Sequence, residues 1–238
     1  MRFHKAIPLI FLFALAGYTI QAQDSEDYEY TDEFVWGINK NTRGGLIGGF
    51  VLKKSIRINE NQFQTFGLEL MNVKHPKEAR ISNPLNGNSF IWGKEHYLYS
   101  IRLQYGREQI IFKKSSFQGL QVHAILAGGP TIGLLAPYYI QNSQGVNEPF
   151  DSEKHVDFNS ILGTGNILQG LGESEVKFGL NLKPALSFEF GAFKSNVSGI
   201  ELGLMFEGFT EEIILVPNAS NDQFFTSFFV TLFYGRRR

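Results

Sequence analysis

The sequence predicts an all-β fold, an eight-stranded antiparallel up-and-down transmembrane β-barrel. Three observations carry that expectation: strict period-two alternation in residues 175–209, segments longer than ordinary strands, and a set of long loops confined to one side. In the segment EVKFGLNLKPALSFEF, Val176, Phe178, Leu180, Leu182, Leu186, Phe188 and Phe190 share one parity. Lys177, Asn181, Lys183, Ser187 and Glu189 share the other. Alternate side chains leave a strand on opposite faces, so this is one strand with an apolar and a polar face. SGIELGLMFEGF repeats the pattern after a short turn, making a hairpin. Soluble strands usually run about 5 or 6 residues, whereas a membrane-crossing barrel strand needs about 9 to 11 and alternates apolar-out with polar-in.

The other strands follow in order. Residues 33–39 place Phe34, Trp36 and Ile38 on one face, and 43–56 continue with Phe50 and Leu52 outward. Residues 62–73 set Phe66, Leu68 and Leu70 against Glu69. Residues 96–106 set Tyr97, Tyr99, Ile101, Leu103 and Tyr105 against Ser100, Arg102 and Gln104. Residues 118–129 set Leu120, Val122, Ala124 and Leu126 against Gln121, His123 and Ala127. After the hairpin, 223–235 complete the set with Phe224, Phe228, Val230, Leu232 and Tyr234 outward. The connections on the side of the termini are 57–61, 107–117 and 191–197. Those on the far side are 39–42, 74–95, 130–172 and 210–222, and they include all the longest. Short periplasmic turns with long external loops are the pattern of an outer-membrane barrel.

The N-terminus supports export. Arg2, His4 and Lys5 precede an apolar run from Ile7 to Ala16, which reads as a signal peptide over 1–22. Residues 23–32 read as a flexible acidic tail and 33–238 as the barrel domain. The chain has no Cys, so stability must come from packing or membrane insertion. A balance of 22 basic and 23 acidic residues does not suggest a nucleic-acid partner. With 25 Gly, 23 Phe and 9 Tyr the composition is that of a Gly- and aromatic-rich β-protein. Lys53, Lys54, Arg57, Lys113, Lys114, Lys194 and Arg236 to Arg238 cluster near the periplasmic turns, where they read as a basic rim.

Eight strands enclose room for side chains or one small ligand, and no wide channel. On the parity above, Glu69, Arg102, His123, Lys177, Lys183, Glu189, Glu201 and Glu207 point inward and form a candidate lumen network, since buried charges need partners. A gated ion path or a ligand-binding lumen are the alternatives. The apolar stretch Gly128, Gly129, Pro130 through Tyr138 and Tyr139 either extends the fifth strand or folds into the barrel mouth as a candidate partner-binding or mouth loop, with the two Tyr at the headgroup belt. The histidines lack metal-ligand spacing, and no nucleophile elbow or P-loop occurs. His96 and Ser100 share a face but lie about 13 Å apart. No catalytic residue, cofactor or metal is therefore expected. Pro184, on the apolar face, reads as a bulge or local register change.

The signal ending TIQAQ, the glycine-rich GGLIGGF at 44–50 and the final FFTSFFVTLFYGRRR resemble small outer-membrane β-barrel proteins of the Bacteroidota type. NVKHPKEAR, LQYGRE and AGGPTIGLLAPYY add to the likeness. The resemblance implies an outer-membrane location, contact with membrane lipid and lipopolysaccharide, insertion by the outer-membrane assembly machinery, and a periplasmic or membrane protein partner. It implies a structural or interaction role, with a narrow porin or transporter as the second reading and a lipid-modifying enzyme as the third. Its departure from pattern is the end of the chain, where Gly235 and three Arg follow the expected terminal aromatic Tyr234.

Overall fold

A computed structural model describes residues 30–44, 48–84, 86–113, 119–166, 169–190 and 195–238. The expected signal peptide, most of the expected tail, and Lys114 and Lys194 of the expected basic rim lie outside the described residues.

The strands are β1 (Asp32–Asn41), β2 (Gly49–Asn59), β3 (Gln62–Val73), β4 (Ala79–Ser82), β5 (Ser89–Trp92), β6 (His96–Phe112), β7 (Gln121–Pro137), β8 (Tyr139–Asn142), β9 (Asn147–Pro149), β10 (Ile161–Thr164), β11 (Glu175–Phe190), β12 (Asn196–Ile213) and β13 (Asp222–Arg237). The expectation counted eight strands in a single barrel, and this is corrected: thirteen strands fall in three sheets among the described residues. Eight long strands hydrogen-bond in the closed order β1-β13-β12-β11-β7-β6-β3-β2. β4 and β5 form a hairpin, and β10, β8 and β9 form a separate three-stranded sheet. These five come from the segments 74–95 and 130–172 that read as loops. They are short and lack long alternation, so the periodicity that reveals a wall strand is absent from them.

Every wall pair is antiparallel, and β1 pairs with both β2 and β13. The ring closes with a stagger. Arg57 N–H donates to Thr31 O, and the paired positions then run Phe63, Glu108, Ile125, Ala185, Gly203 and Phe229. Phe229 faces Asn41, well along the same first strand from Thr31. Such a shear tilts the strands and leaves an interior that side chains fill.

The alternation places Phe34, Phe50, Phe66, Leu103, Leu126, Phe178, Leu180, Phe224, Phe228 and Leu232 on the outside, all exposed. Inside, Ile125, Ala127, Ala185, Met205 and Phe229 form one apolar cluster and Val35, Val197 and Phe233 a second. The walls tolerate two prolines in their midst. Around Pro184 the pairing with β7 is continuous and the β12 ladder skips Lys183 and Pro184 without a shift, so the expected register change is absent. Pro130, which has no N–H to give, leaves a gap in the β6–β7 ladder between Arg102 and Tyr105. The Asn181 side-chain amide sits over that gap, its Nδ2 at 3.0 Å from Gly129 O, 3.2 Å from Pro130 O and 3.0 Å from Thr131 Oγ1.

The residues expected to end a flexible tail are packed. Tyr30 is buried, stacks on Phe63 at 5.0 Å, and lies under the Arg237 guanidinium at 4.1 Å. Thr31 and Asp32 both donate backbone N–H groups to Arg238 O.

Candidate functional site

Inside the barrel, inward residues from all eight wall strands meet in one run of ion pairs. Arg237 pairs with Glu33 at 2.5 Å and also with Glu189. His123 stands between Glu189, 3.2 Å from Nε2, and Glu108, 2.6 Å from Nδ1. Lys53 bridges Glu108 at 3.3 Å and Glu201 at 3.6 Å. Lys183 bridges Glu201 at 3.1 Å and Glu69 at 2.9 Å. Arg102 reaches Glu69 at 3.4 Å and grips Glu207 with two bonds, 2.8 Å from Nε and 2.9 Å from Nη2. Acid and base alternate along the whole run, and every member is buried. The run begins and ends on an acid, so with His123 counted as a cation it has one acid more than it has bases.

Of the expected network residues, Glu69, Arg102, His123, Lys183, Glu189, Glu201 and Glu207 all lie in this run. The exception is Lys177. It stands at the mouth and pairs with Glu175 at 3.0 Å and Glu211 at 2.9 Å, away from the buried charges. Glu33, Lys53, Glu108 and Arg237 were not foreseen. Lys53 and Arg237, read as rim charges, are corrected to interior ones. Lys53 shares parity with Val51 and faces in, whereas its neighbour Lys54 faces out. Glu108 falls beyond the expected end of its strand, but β6 runs to Phe112 and keeps the alternation.

Glu108, His123 and Glu189 also place ligand-type atoms within 4.8 Å of one another. The trio does not fit a metal ion. Both carboxylates already hold cations, Lys53 on Glu108 and Arg237 on Glu189, and both imidazole nitrogens face carboxylates. A dication added there would meet existing positive charge at close range.

The mouth is closed differently. The connection 214–221 between β12 and β13 folds inward. Ile213, Leu215 and Val216 pack with Val73, Leu98, Leu135, Phe209 and Phe225 in a buried apolar stopper. The Asn221 carboxamide holds the loop in shape, accepting from Leu215 N and Val216 N and donating to Val216 O and Ala219 O. His75 Nε2 lies 2.9 Å from Ser220 O, and His96 Nδ1 lies 3.1 Å from Ile214 O. Glu95 joins the stopper to a cap made by the two small sheets, β4-β5 and β10-β8-β9: its N–H donates to Leu215 O, and its carbonyl accepts from Tyr138 N–H.

Of the two expectations for Gly128 to Tyr139, the strand extension forms and the mouth loop does not. Gly128, Gly129 and Pro130 lie within the wall strand β7, which continues to Pro137. Tyr138 is buried and not at a headgroup belt, its hydroxyl accepting from Ile91 N–H at 3.0 Å. It packs with Phe90, Ile91, Tyr97, Ala136, Ile140, Phe150 and Ile161 in the core of the cap, on the outer wall of β6 and β7. Tyr139 donates its hydroxyl to Glu173. Burial pulls the Lys94 ammonium of this region below its usual range, although Glu78 at 2.5 Å favours its charge. Hydrogen bonds from Lys154, Asn142 and His155 pull Glu148 down to about 2.

No family model matches the chain, and no curated protein matches it. Among solved structures the chain is similar to Ail, the attachment invasion locus protein of Yersinia pestis, with 12% identity over 88% of this chain and 99% of that one and a TM-score of 0.40. The same values hold for Ail in complex with the heparin analogue sucrose octasulfate. It is similar also to Neisserial surface protein A, with 10% identity over 88% of this chain and 97% of that one and a TM-score of 0.39. Likeness at this level assigns neither a family nor an activity.

Proposed function

We propose that this chain is an outer-membrane protein with a filled lumen, acting as a structural or interaction protein through its exposed ends. The observation that carries the reading is the lumen itself. An unbroken acid–base run occupies the interior from Glu33 to Glu207, and an apolar stopper sits above it. Charges paired in this way are costly to separate, and an ion entering the run must break pairs that water does not replace. The membrane assignment is supported by the outer face. On β13 the exposed stripe from Phe224 to Tyr234 extends about 33 Å along the strand, or about 25 Å along the membrane normal at a usual barrel tilt. A soluble barrel would put these Phe and Leu inside and the charges outside.

A non-enzymatic role is supported by the described histidines. His75 and His96 are spent on loop carbonyls, His155 on Asp151 and Glu148, and His123 on the ion run. Planar-bilayer recording tests the reading: purified protein should give no stepwise conductance. Discrete steps abolished by Arg102→Ala or Lys183→Met would establish the narrow-porin alternative. Recovery of the mature protein as a detergent-independent soluble monomer would remove the membrane assignment itself.

A further inference from the structure

One buried ion pair stands apart from the lumen run. Glu78 immediately precedes β4 and Lys94 follows β5, so the two sit at the feet of the β4–β5 hairpin, where Ala79 pairs with Trp92. Lys94 is wholly buried and the Glu78 side chain nearly so. Lys94 Nζ lies 2.5 Å from Glu78 Oε1 and 4.4 Å from the centre of the Tyr97 ring. Glu78 is its hydrogen-bonding partner among the described residues, although an ammonium has three donors to place. Glu78 Oε1 also accepts the His75 backbone N–H at 3.0 Å, whereas Oε2 is buried with no hydrogen-bond partner.

A buried ion pair offsets its desolvation only when the remaining protons and lone pairs are satisfied as well. Here one carboxylate oxygen has no donor and the ammonium has one acceptor. The same geometry suits a condensation. Nζ must lie within about 3.7 Å of Glu78 Cδ whatever the angle at Oε1, close to the separation of about 3–3.5 Å from which reacting atoms combine.

We propose that Lys94 and Glu78 join in an amide bond, Nζ to Cδ, which closes the base of the β4–β5 hairpin covalently. Burial already draws Lys94 towards the neutral amine, the form that attacks. One ammonium proton passes to Oε2, giving an amine and a carboxylic acid. Nζ then bonds to Cδ while the carbonyl electron pair moves to Oε1, where the His75 N–H stabilises it. As that pair returns, the Cδ–Oε2 bond breaks. Oε2 leaves as water with the first proton and a second one from Nζ, and it parts from no protein donor. Two buried charges become one neutral amide, and no oxidant, metal or co-reactant is consumed. In a chain with no Cys, this bond takes the place of a disulfide. The inference does not depend on the membrane reading.

Mass spectrometry of the purified full chain tests it. The wild type should be lighter than its mature sequence by one water, about 18 Da. Its tryptic digest should contain residues 78–80 joined to 81–102, uncut at Lys94. Lys94→Met and Glu78→Ala should each restore the full mass and release the two peptides separately. Lys94→Arg should do the same, although it keeps the positive charge. A wild-type chain at its full sequence mass overturns the proposal and leaves an ion pair, and that measurement needs no variant to fold. A lost water that persists in Lys94→Met, or that maps to other residues, overturns it too.

Discussion

Between Glu33 and Glu207 the lumen is held by alternating carboxylates and cations, while above Glu207 the same lumen is held by Leu, Val, Ile and Phe. Both regions are buried, but they respond differently to damage. Trimming an apolar side chain of the stopper costs what its methyl groups were worth plus the hole they leave. Removing a cation from the run leaves each neighbouring carboxylate buried with half of its pairing, or with none at the two ends, which costs more. The stopper also belongs to a loop and the ion run to eight rigid strands. Local opening is therefore expected of the first, and of the second only with the barrel.

Substitutions test that contrast. The largest effect is expected from Lys183→Met, which strips Glu69 and Glu201 of a shared partner and should cost about 3–5 kcal/mol in urea unfolding. A loss under about 1 kcal/mol would mean that water reaches the run and the two regions differ less than the geometry implies. Leu215→Ala should cost about 2–4 kcal/mol, appearing as faster hydrogen exchange within 214–221 while β3 and β6 stay protected. Exchange rising in those strands too would make stopper and barrel one cooperative unit. Lys177→Ala sharpens the comparison on a single strand. Lys177 shares parity with Lys183 but pairs at the mouth with exposed Glu175 and Glu211, so its removal should change stability by no more than about 1 kcal/mol.

The smallest effect is in the cap. Glu148 titrates at about 2 against an ordinary value of 4.5. A depressed carboxylate contributes its pairing fully above the ordinary value and loses it as pH falls through the depressed one. Carbon-detected titration of the Glu148 carboxyl should therefore have its midpoint near 2, and Lys154→Ala should move it toward 4.5. A wild-type midpoint already near 4.5 would remove the pairing.

The wall strands were legible because a long two-faced strand repeats its rule at every second residue. Glu69, Arg102, Lys183, Glu189, Glu201 and Glu207 follow from parity alone. Lys53 and Arg237 obey the same parity, but they stand where turns and tails also collect basic residues, and a charge near a strand end carries no mark of its face. Glu108 was hidden by a strand boundary set too early. The cap strands were illegible for a different reason. β8 and β10 bury residues such as Ile140 and Ile161 against Tyr97 and Tyr138, partners distant in sequence, and four-residue strands are too short to show a period. The stopper left one trace, the apolar run Ile213 to Val216 inside a segment read as a loop.

The Glu95 peptide gives the two outer features a common mechanics. Phe150 N–H binds Tyr138 O, Tyr138 N–H binds Glu95 O, and Glu95 N–H binds Leu215 O. Cap and stopper are thus riveted through one line of main-chain bonds, each link shifting the next. Anything that tugs the cap sideways at Phe150 pulls along that line on the plug at Leu215, and no side chain needs to change its neighbours for the pull to arrive.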